Sequence, residues 1–324
     1  MNSTWLRRHR LAVYYVLALA IAMAVMAVSV IWPNAPDVIG GLRAFMQRER
    51  QTASLVSIIG FAVREQPLAW LIVVFAAAPT LSALMVSVAL GGGELARLLR
   101  RLRPWQAPEH LAPALRFYGL WFTLSGLVMA WYYWQGSRHG TAEALAFREA
   151  ALGGSPVVIA AGLFLGHFLD EGGTLEELGW RGFGLPVLLE RLGSPLRASV
   201  VLGTIWMLWH LPREIPGLLA GVPLVPFLKG QGAFLVLTVS LSVLSTYGFL
   251  ETGGSVIPAV VIHGGSNVWS KALAAPLYPA VSWAVEPRTA IITLLAIAVV
   301  VTKQWRWTAE PRTPGEAPPQ AARF

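Results

Sequence analysis

Long apolar runs separated by short polar segments dominate the pattern of this chain. Three runs, over 11–32, 67–90 and 111–134, reach the roughly 20 residues that an α-helix needs to cross a bilayer. Shorter or interrupted apolar runs follow over 156–169, 198–211, 232–250, 255–275 and 289–302. The pattern predicts an all-α polytopic membrane protein with about eight transmembrane helices.

The composition agrees with a bilayer environment. Of the 324 residues, 55% are hydrophobic and only 13% are charged, about half of the roughly 25% that is usual in soluble domains. The absence of cysteine excludes disulfides and Cys-ligated metal sites. Because the net charge of +8 does not come from one dense basic stripe, we expect no nucleic-acid partner.

The apolar runs divide the chain into four parts. We expect residues 1–150 to form an N-terminal membrane region with about three spans, 151–280 to form a core, 281–303 to form the last span, and 304–324 to form a disordered polar tail. Basic residues are densest in the 97–103 loop, so the positive-inside rule places this loop and both termini on the cytoplasmic side. The chain is therefore predicted to be a multi-pass protein of the cell membrane.

Ionisable residues inside the apolar core are the candidate functional residues, because charge is costly within a bilayer and usually marks function. Glu177 and Arg181 are four residues apart, so on a helix they share a face and can pair. Glu176 is rotated from Glu177 by about 100° and lacks that partner. Two adjacent carboxylates thus have different roles open to them, one structural and one chemical. The alternative is an interfacial charge cluster at a helix end.

Two later apolar runs contribute histidines. His210 closes one run, a helical turn after Trp206, and His263 and Asn267 share a helix face in the next. Each of these residues alone is often a packed or hydrogen-bonded structural residue, and we expect His167 to make such a local polar contact near the membrane surface.

The coincidence of the three segments indicates a catalytic site. A glutamate, two histidines and an asparagine can position water and stabilise an oxyanion. The candidate catalytic residues are Glu176, His210, His263 and Asn267. Asp170 and His167 are three residues apart and could also join this site, but we expect them to make local polar contacts near the membrane surface.

In their order along the chain these segments resemble the motifs of the CPBP family, which comprises the CAAX proteases and the bacteriocin-processing enzymes also called Abi proteins. The family pattern is Glu-Glu-x-x-x-Arg, then aromatic-x-x-x-His, then His-x-x-x-Asn/Asp, on successive membrane helices. In this chain it reads Glu176-Glu177 to Arg181, Trp206 to His210, and His263 to Asn267. The resemblance covers roughly residues 155–275.

The resemblance implies an intramembrane endopeptidase of about eight helices that acts on membrane-associated peptides or proteins, which are prenylated in some members of the family. It implies that Glu176 is the general base, that His210 assists it, and that His263 and Asn267 hold the oxyanion. Glu177, Arg181 and Trp206 would support the site.

The cofactor stays open between none and one divalent metal such as zinc. By residue type, Glu176, His210 and His263 would suit Zn²⁺, although the resemblance also allows a metal-free glutamate mechanism.

Two other functions remain open. Intramembrane Glu, His and Arg residues also serve proton- or ion-coupled transporters, but the chain has no repeat halves and its polar residues cluster in one half. The second alternative is a catalytically inactive immunity or binding protein of the same fold.

Overall fold

Helices form all the regular structure of this protein within its described residues. The structure, a computed structural model, describes residues 3–31, 37–49, 51, 54–139, 156–269 and 287–307. The prediction of an all-α fold is confirmed. The polar tail beyond residue 307 lies outside the described residues, and so do parts of the expected core and of the expected last span.

The first half of the described chain contains three long helices and three short ones. They are α1 (Ser3–Ile31), α2 (Val38–Glu49), α3 (Leu55–Arg64), α4 (Trp70–Leu90), α5 (Glu94–Arg100) and α6 (Leu111–His139). Short 3₁₀ turns, Pro67–Ala69 and Pro108–His110, precede α4 and α6. Each turn starts with a proline, whose missing N–H is not needed at a helix start.

The second half contains shorter helices around one long one. They are α7 (Pro156–Leu169), α8 (Glu171–Glu177), α9 (Leu185–Leu192), α10 (Pro195–His210), α11 (Ile215–Leu219), α12 (Leu224–Glu251), α13 (Ile257–Val268) and α14 (Pro287–Thr302). A π-helical segment, Leu178–Gly184, joins α8 to α9. The 3₁₀ turn Leu211–Glu214 follows α10.

Four described helical segments are long and apolar enough to cross a membrane. They are Thr4–Val28, Pro67–Leu90, Pro108–Trp131 and Leu224–Glu251. These spans confirm that the chain is a membrane protein, whereas the total of about eight spans and the cytoplasmic position of both termini stay predictions. The other expected spans correspond to α7, α10, α13 and α14, whose described parts are 12 to 16 residues long.

Close helix packing places the π-helical segment in the middle of the bundle. Gly179 lies against Pro79 of α4, and a Cβ atom at Gly179 would stand 2.4 Å from the Pro79 carbonyl carbon. Only glycine fits this crossing without moving the backbone of α4. On the same segment Trp180 is fully buried, with its ring 5.7 Å from that of Trp209 in α10. The segment that directly follows the candidate carboxylates is thus held from two sides.

Candidate active site

A cavity of about 720 Å³ lies among α1, α2, α4, α8, α10, α12, α13 and α14. All four predicted catalytic residues line it, and these are Glu176, His210, His263 and Asn267. Trp206 also lines the cavity, but Glu177 and Arg181 do not. The structure therefore brings the candidate catalytic residues to one cavity. The expected ion pair between Glu177 and Arg181 is present nearby but does not line it.

Glu176 is buried, and two indole groups hold one of its carboxylate oxygens. Trp206 Nε1 donates to Glu176 Oε2 at 2.7 Å, and Trp180 Nε1 donates to the same oxygen at 3.2 Å. Both donors are uncharged, so they orient the carboxylate without neutralising its charge. Among the described residues Oε1 has no hydrogen-bond donor, which leaves this oxygen for a molecule in the cavity.

Sequence reasoning did not identify Trp180 as a residue of the site. A signal was present, because Trp180 follows Glu176 by four residues and so lies on the same helix face. The same spacing had indicated the pairing of Glu177 with Arg181.

Glu177 is fully buried and fully engaged in hydrogen bonds. Arg181 Nη1 donates to its two oxygens at 2.8 and 2.9 Å, and His263 Nδ1 lies 2.8 Å from Oε1. Arg181 Nη2 also donates to Ser242 Oγ on α12 at 2.9 Å, and the guanidinium lies 4.5 Å from the ring centre of Trp206. A buried ion pair is tolerated only with such additional partners. The pairing expected from the spacing is present, and it links α8, α12 and α13.

The hydrogen bond of His210 fixes which ring nitrogen faces the cavity as an acceptor. His210 Nδ1 lies 2.9 Å from the carbonyl oxygen of Trp206. A carbonyl oxygen only accepts hydrogen bonds, so Nδ1 carries the proton and a neutral His210 keeps a lone pair on Nε2. The side chain can therefore accept a proton at Nε2.

His263 is oriented by the Glu177 carboxylate in the same way. Because the carboxylate accepts, His263 Nδ1 carries a proton, and Nε2 is the atom on the cavity side. Gly172 lines the cavity beside it, and a Cβ atom at this glycine would stand 2.8 Å from Nε2. The absence of a side chain at Gly172 keeps Nε2 accessible.

Asn267 is held at both ends of its amide. Its Nδ2 donates to Asp170 Oδ1 at 3.0 Å, and Arg288 Nη1 on α14 donates to its Oδ1 at 3.4 Å. Asp170 is buried and also caps α8, since it accepts the N–H of Gly173 at 2.8 Å. Asp170 does not line the cavity, but it contacts the site through Asn267, because the turn between α7 and α8 packs against α13. The amide orientation leaves the second Nδ2–H of Asn267 unused by Asp170.

His167 makes the local polar contact that was expected of it, but in the protein interior. Its Nε2 lies 2.8 Å from Ser125 Oγ on α6, and the side chain is fully buried. Trp269 Nε1 donates to the same hydroxyl at 2.9 Å. This cluster joins α6, α7 and the end of α13 and does not line the cavity.

The candidate metal ligands Glu176, His210 and His263 all line the cavity. Within the described residues, no group of three or more His, Asp and Glu side chains is arranged to hold a metal ion. A metal held by these three residues stays a prediction from the sequence.

A cavity lined by a glutamate, two histidines and an asparagine contains the residue types that can activate water and stabilise an oxyanion. Comparison with known proteins agrees. Residues 154–269 match the model of the family described as type II CAAX prenyl endopeptidase, Rce1-like. Residues 154–269 are thus similar to the CAAX-type, or CPBP, proteases, and this match confirms the resemblance indicated by the motifs.

A curated relative is similar to part of this chain. CAAX prenyl protease 2 of Methanococcus maripaludis is 29% identical over 102 residues, which are 31% of this chain and 37% of the relative. The match thus spans little more than a third of the relative's length.

Proposed function

We propose that this protein is an intramembrane endopeptidase that hydrolyses peptide bonds of membrane-associated proteins or peptides with a glutamate-activated water. The observation that carries the proposal is the convergence of Glu176, His210, His263 and Asn267 on one internal cavity. The protease family matched by residues 154–269 favours this function over a transporter.

In the proposed reaction Glu176 is the general base. Its carboxylate takes a proton from a water molecule, and the water oxygen bonds to the carbonyl carbon of the substrate. The C–N bond then breaks, and protonated Glu176 returns the proton to the departing amine, either directly or by way of His210 Nε2, which first accepts it. His210 suits this assisting role because its Nδ1 proton is committed to the Trp206 carbonyl.

His263 and Asn267 are the proposed donors to the oxyanion that forms on the substrate carbonyl. Asn267 would use the Nδ2–H that Asp170 does not accept. His263 would use Nε2, and it can donate there only as an imidazolium, because its Nδ1–H already faces Glu177. The proposed role of Glu177 and Arg181 is to hold His263 and the π-helical segment in position.

The remaining wall of the cavity suits an apolar part of a substrate. Leu71, Ile72 and Phe75 of α4 line it, together with Leu237 and Leu241 of α12. We propose that this wall receives the lipid-modified end of a prenylated, CAAX-type substrate, the class that the name of the Methanococcus relative indicates for that protein.

The test uses the purified full chain in proteoliposomes. A farnesylated CAAX peptide and the same peptide without the farnesyl group are supplied, and released fragments are identified by mass spectrometry. We expect release of the C-terminal tripeptide from the farnesylated peptide by the wild type and by Glu190→Gln, a change at an exposed site on α9, but not by Glu176→Gln. Equal cleavage of both peptides would contradict the prenyl specificity.

Cleavage by Glu176→Gln at the wild-type rate would overturn the proposed base. Absence of cleavage by the wild type, together with specific binding of the peptide, would instead support an inactive binding protein.

A further inference from the structure

A second and smaller groove lies outside the catalytic cavity. Its volume is about 210 Å³, and it shares no lining residue with that cavity. Leu120 and Leu124 of α6 form one wall, and Leu295 and Val299 of α14 form the other. The floor includes Leu244 and is buried, whereas Leu120 is 70% exposed. In the described part of the chain the groove is thus an apolar trough open to the lipid side.

One end of the trough is polar. Lys303 and Tyr247 line this end, and the Lys303 ammonium lies 4.9 Å from the ring centre of Tyr247. Lys303 Nζ donates to Glu251 Oε1 at 2.7 Å, and this hydrogen bond raises the pKa of Lys303, while the charge of nearby Arg116 opposes it. Arg116 is exposed and precedes Phe117, another residue of the groove lining. Two cations and one carboxylate leave this end with a net positive charge.

The polar end lies at the ends of two of these helices, where we expect the chain to leave the hydrocarbon layer. Glu251 is the last residue of the span Leu224–Glu251, and Lys303 directly follows α14. The apolar walls of the groove match the acyl chains of a phospholipid, and the basic groups at its polar end match the headgroup phosphate. Basic groups of this kind between membrane helices attract anionic headgroups, while a zwitterionic choline headgroup brings a cation of its own.

We propose that the groove between α6 and α14 binds one anionic phospholipid, with an acyl chain along Leu120 and Leu295 and with the phosphate beside Arg116 and Lys303. The site is separate from the proposed peptidase chemistry, so each can fail without the other.

The test measures lipid retention by the full chain. Wild-type protein is extracted from vesicles of phosphatidylglycerol mixed with phosphatidylcholine, and the lipids that stay bound are counted by native mass spectrometry. Arg116→Gln removes the exposed cation at the polar end, and Ala298→Phe places a ring in the groove, which Ala298 lines. The matched control is Lys229→Gln, which removes an exposed cation near the start of α12.

We expect wild type and Lys229→Gln to retain one phosphatidylglycerol in preference to phosphatidylcholine. Arg116→Gln should weaken this retention about fivefold, the effect of one basic residue near a membrane surface. Ala298→Phe should abolish it while the thermal midpoint in detergent stays that of the wild type.

Equal retention of the two lipids by the wild type would overturn the proposal. Retention by Arg116→Gln equal to that by Lys229→Gln would also overturn it.

Discussion

Two arginine–glutamate pairs in this protein, each beside an aromatic ring, lie in opposite surroundings. In the site, Arg181 pairs with Glu177 and lies 4.5 Å from the ring centre of Trp206, and both charged side chains are 0% exposed. On the α2–α3 hairpin, Arg64 pairs with Glu49 at 3.2 Å and lies 5.5 Å from the ring centre of Phe45, with exposures of 57% and 26%. The chemistry is alike, so the difference between the pairs is access to the surroundings.

That difference changes how much each ion pair stabilises the fold. An exposed pair contributes little to the free energy of unfolding, because polar surroundings can replace either partner. In a buried pair neither charge has a replacement, so removal of one partner leaves the other charge stranded. In the site, Glu177 accordingly receives three hydrogen bonds. The neighbouring carboxylate of Glu176 receives two, both from uncharged donors.

The largest stability effect is expected at the buried pair. Arg181→Gln strands the Glu177 carboxylate in the bundle, so we expect a loss of about 3–5 kcal/mol in the free energy of unfolding. Thermal unfolding of the purified variant in detergent measures this as a lower midpoint. A wild-type midpoint would show that the pair does not stabilise the bundle.

A smaller effect, on rate, is expected at the buried cap Asp170. Asp170→Asn keeps an oxygen for the Gly173 N–H but loses the charged acceptor that orients Asn267. We expect kcat to fall by about tenfold to a hundredfold with little change in KM, since a small displacement of an oxyanion donor costs this much. Steady-state kinetics with the CAAX peptide measure kcat and KM separately.

The control for Asp170 is Asp37→Asn. Asp37 accepts the N–H of Gly40 at 2.8 Å in a similar turn, but it is exposed and contacts no candidate catalytic residue in the described chain. This variant should keep the wild-type kcat. A fall in kcat of the same size in both variants would mean that Asp170 only caps a helix.

The smallest effect is expected at the exposed pair. Arg64→Gln makes the same chemical change as Arg181→Gln, but we expect it to cost less than about 1 kcal/mol. Thermal unfolding of the two variants side by side gives the comparison directly. Equal losses of stability would remove the distinction between the two settings.

The sequence was most informative where a contact is local. Apolar runs predicted the long helices α1, α4 and α6, and the four-residue spacing predicted the pairing of Glu177 with Arg181. The same spacing also contained the contact of Trp180 with Glu176, which was overlooked.

Contacts between distant segments had no such signal. Asp170 reaches Asn267 across 97 positions, and Arg181 reaches Ser242 across 61. Arg288 comes from α14, outside the motif region, and reaches Asn267 because α14 and α13 both pack against α12. Which polar residue meets which depends on helix packing, and periodicity in one segment does not contain that information.

The central claim is that the two adjacent carboxylates have different roles. Glu176 is the general base, and Glu177 stabilises the fold of the site. The most direct measurement compares Glu176→Gln and Glu177→Gln by cleavage rate and by thermal midpoint in detergent. The first change should not disturb the fold, because an amide oxygen can still accept from the two indoles, so Glu176→Gln should lose at least about a hundredfold in rate at an unchanged midpoint. Glu177→Gln should lower the midpoint. Wild-type cleavage by Glu176→Gln, or an unchanged midpoint for Glu177→Gln, would contradict the account.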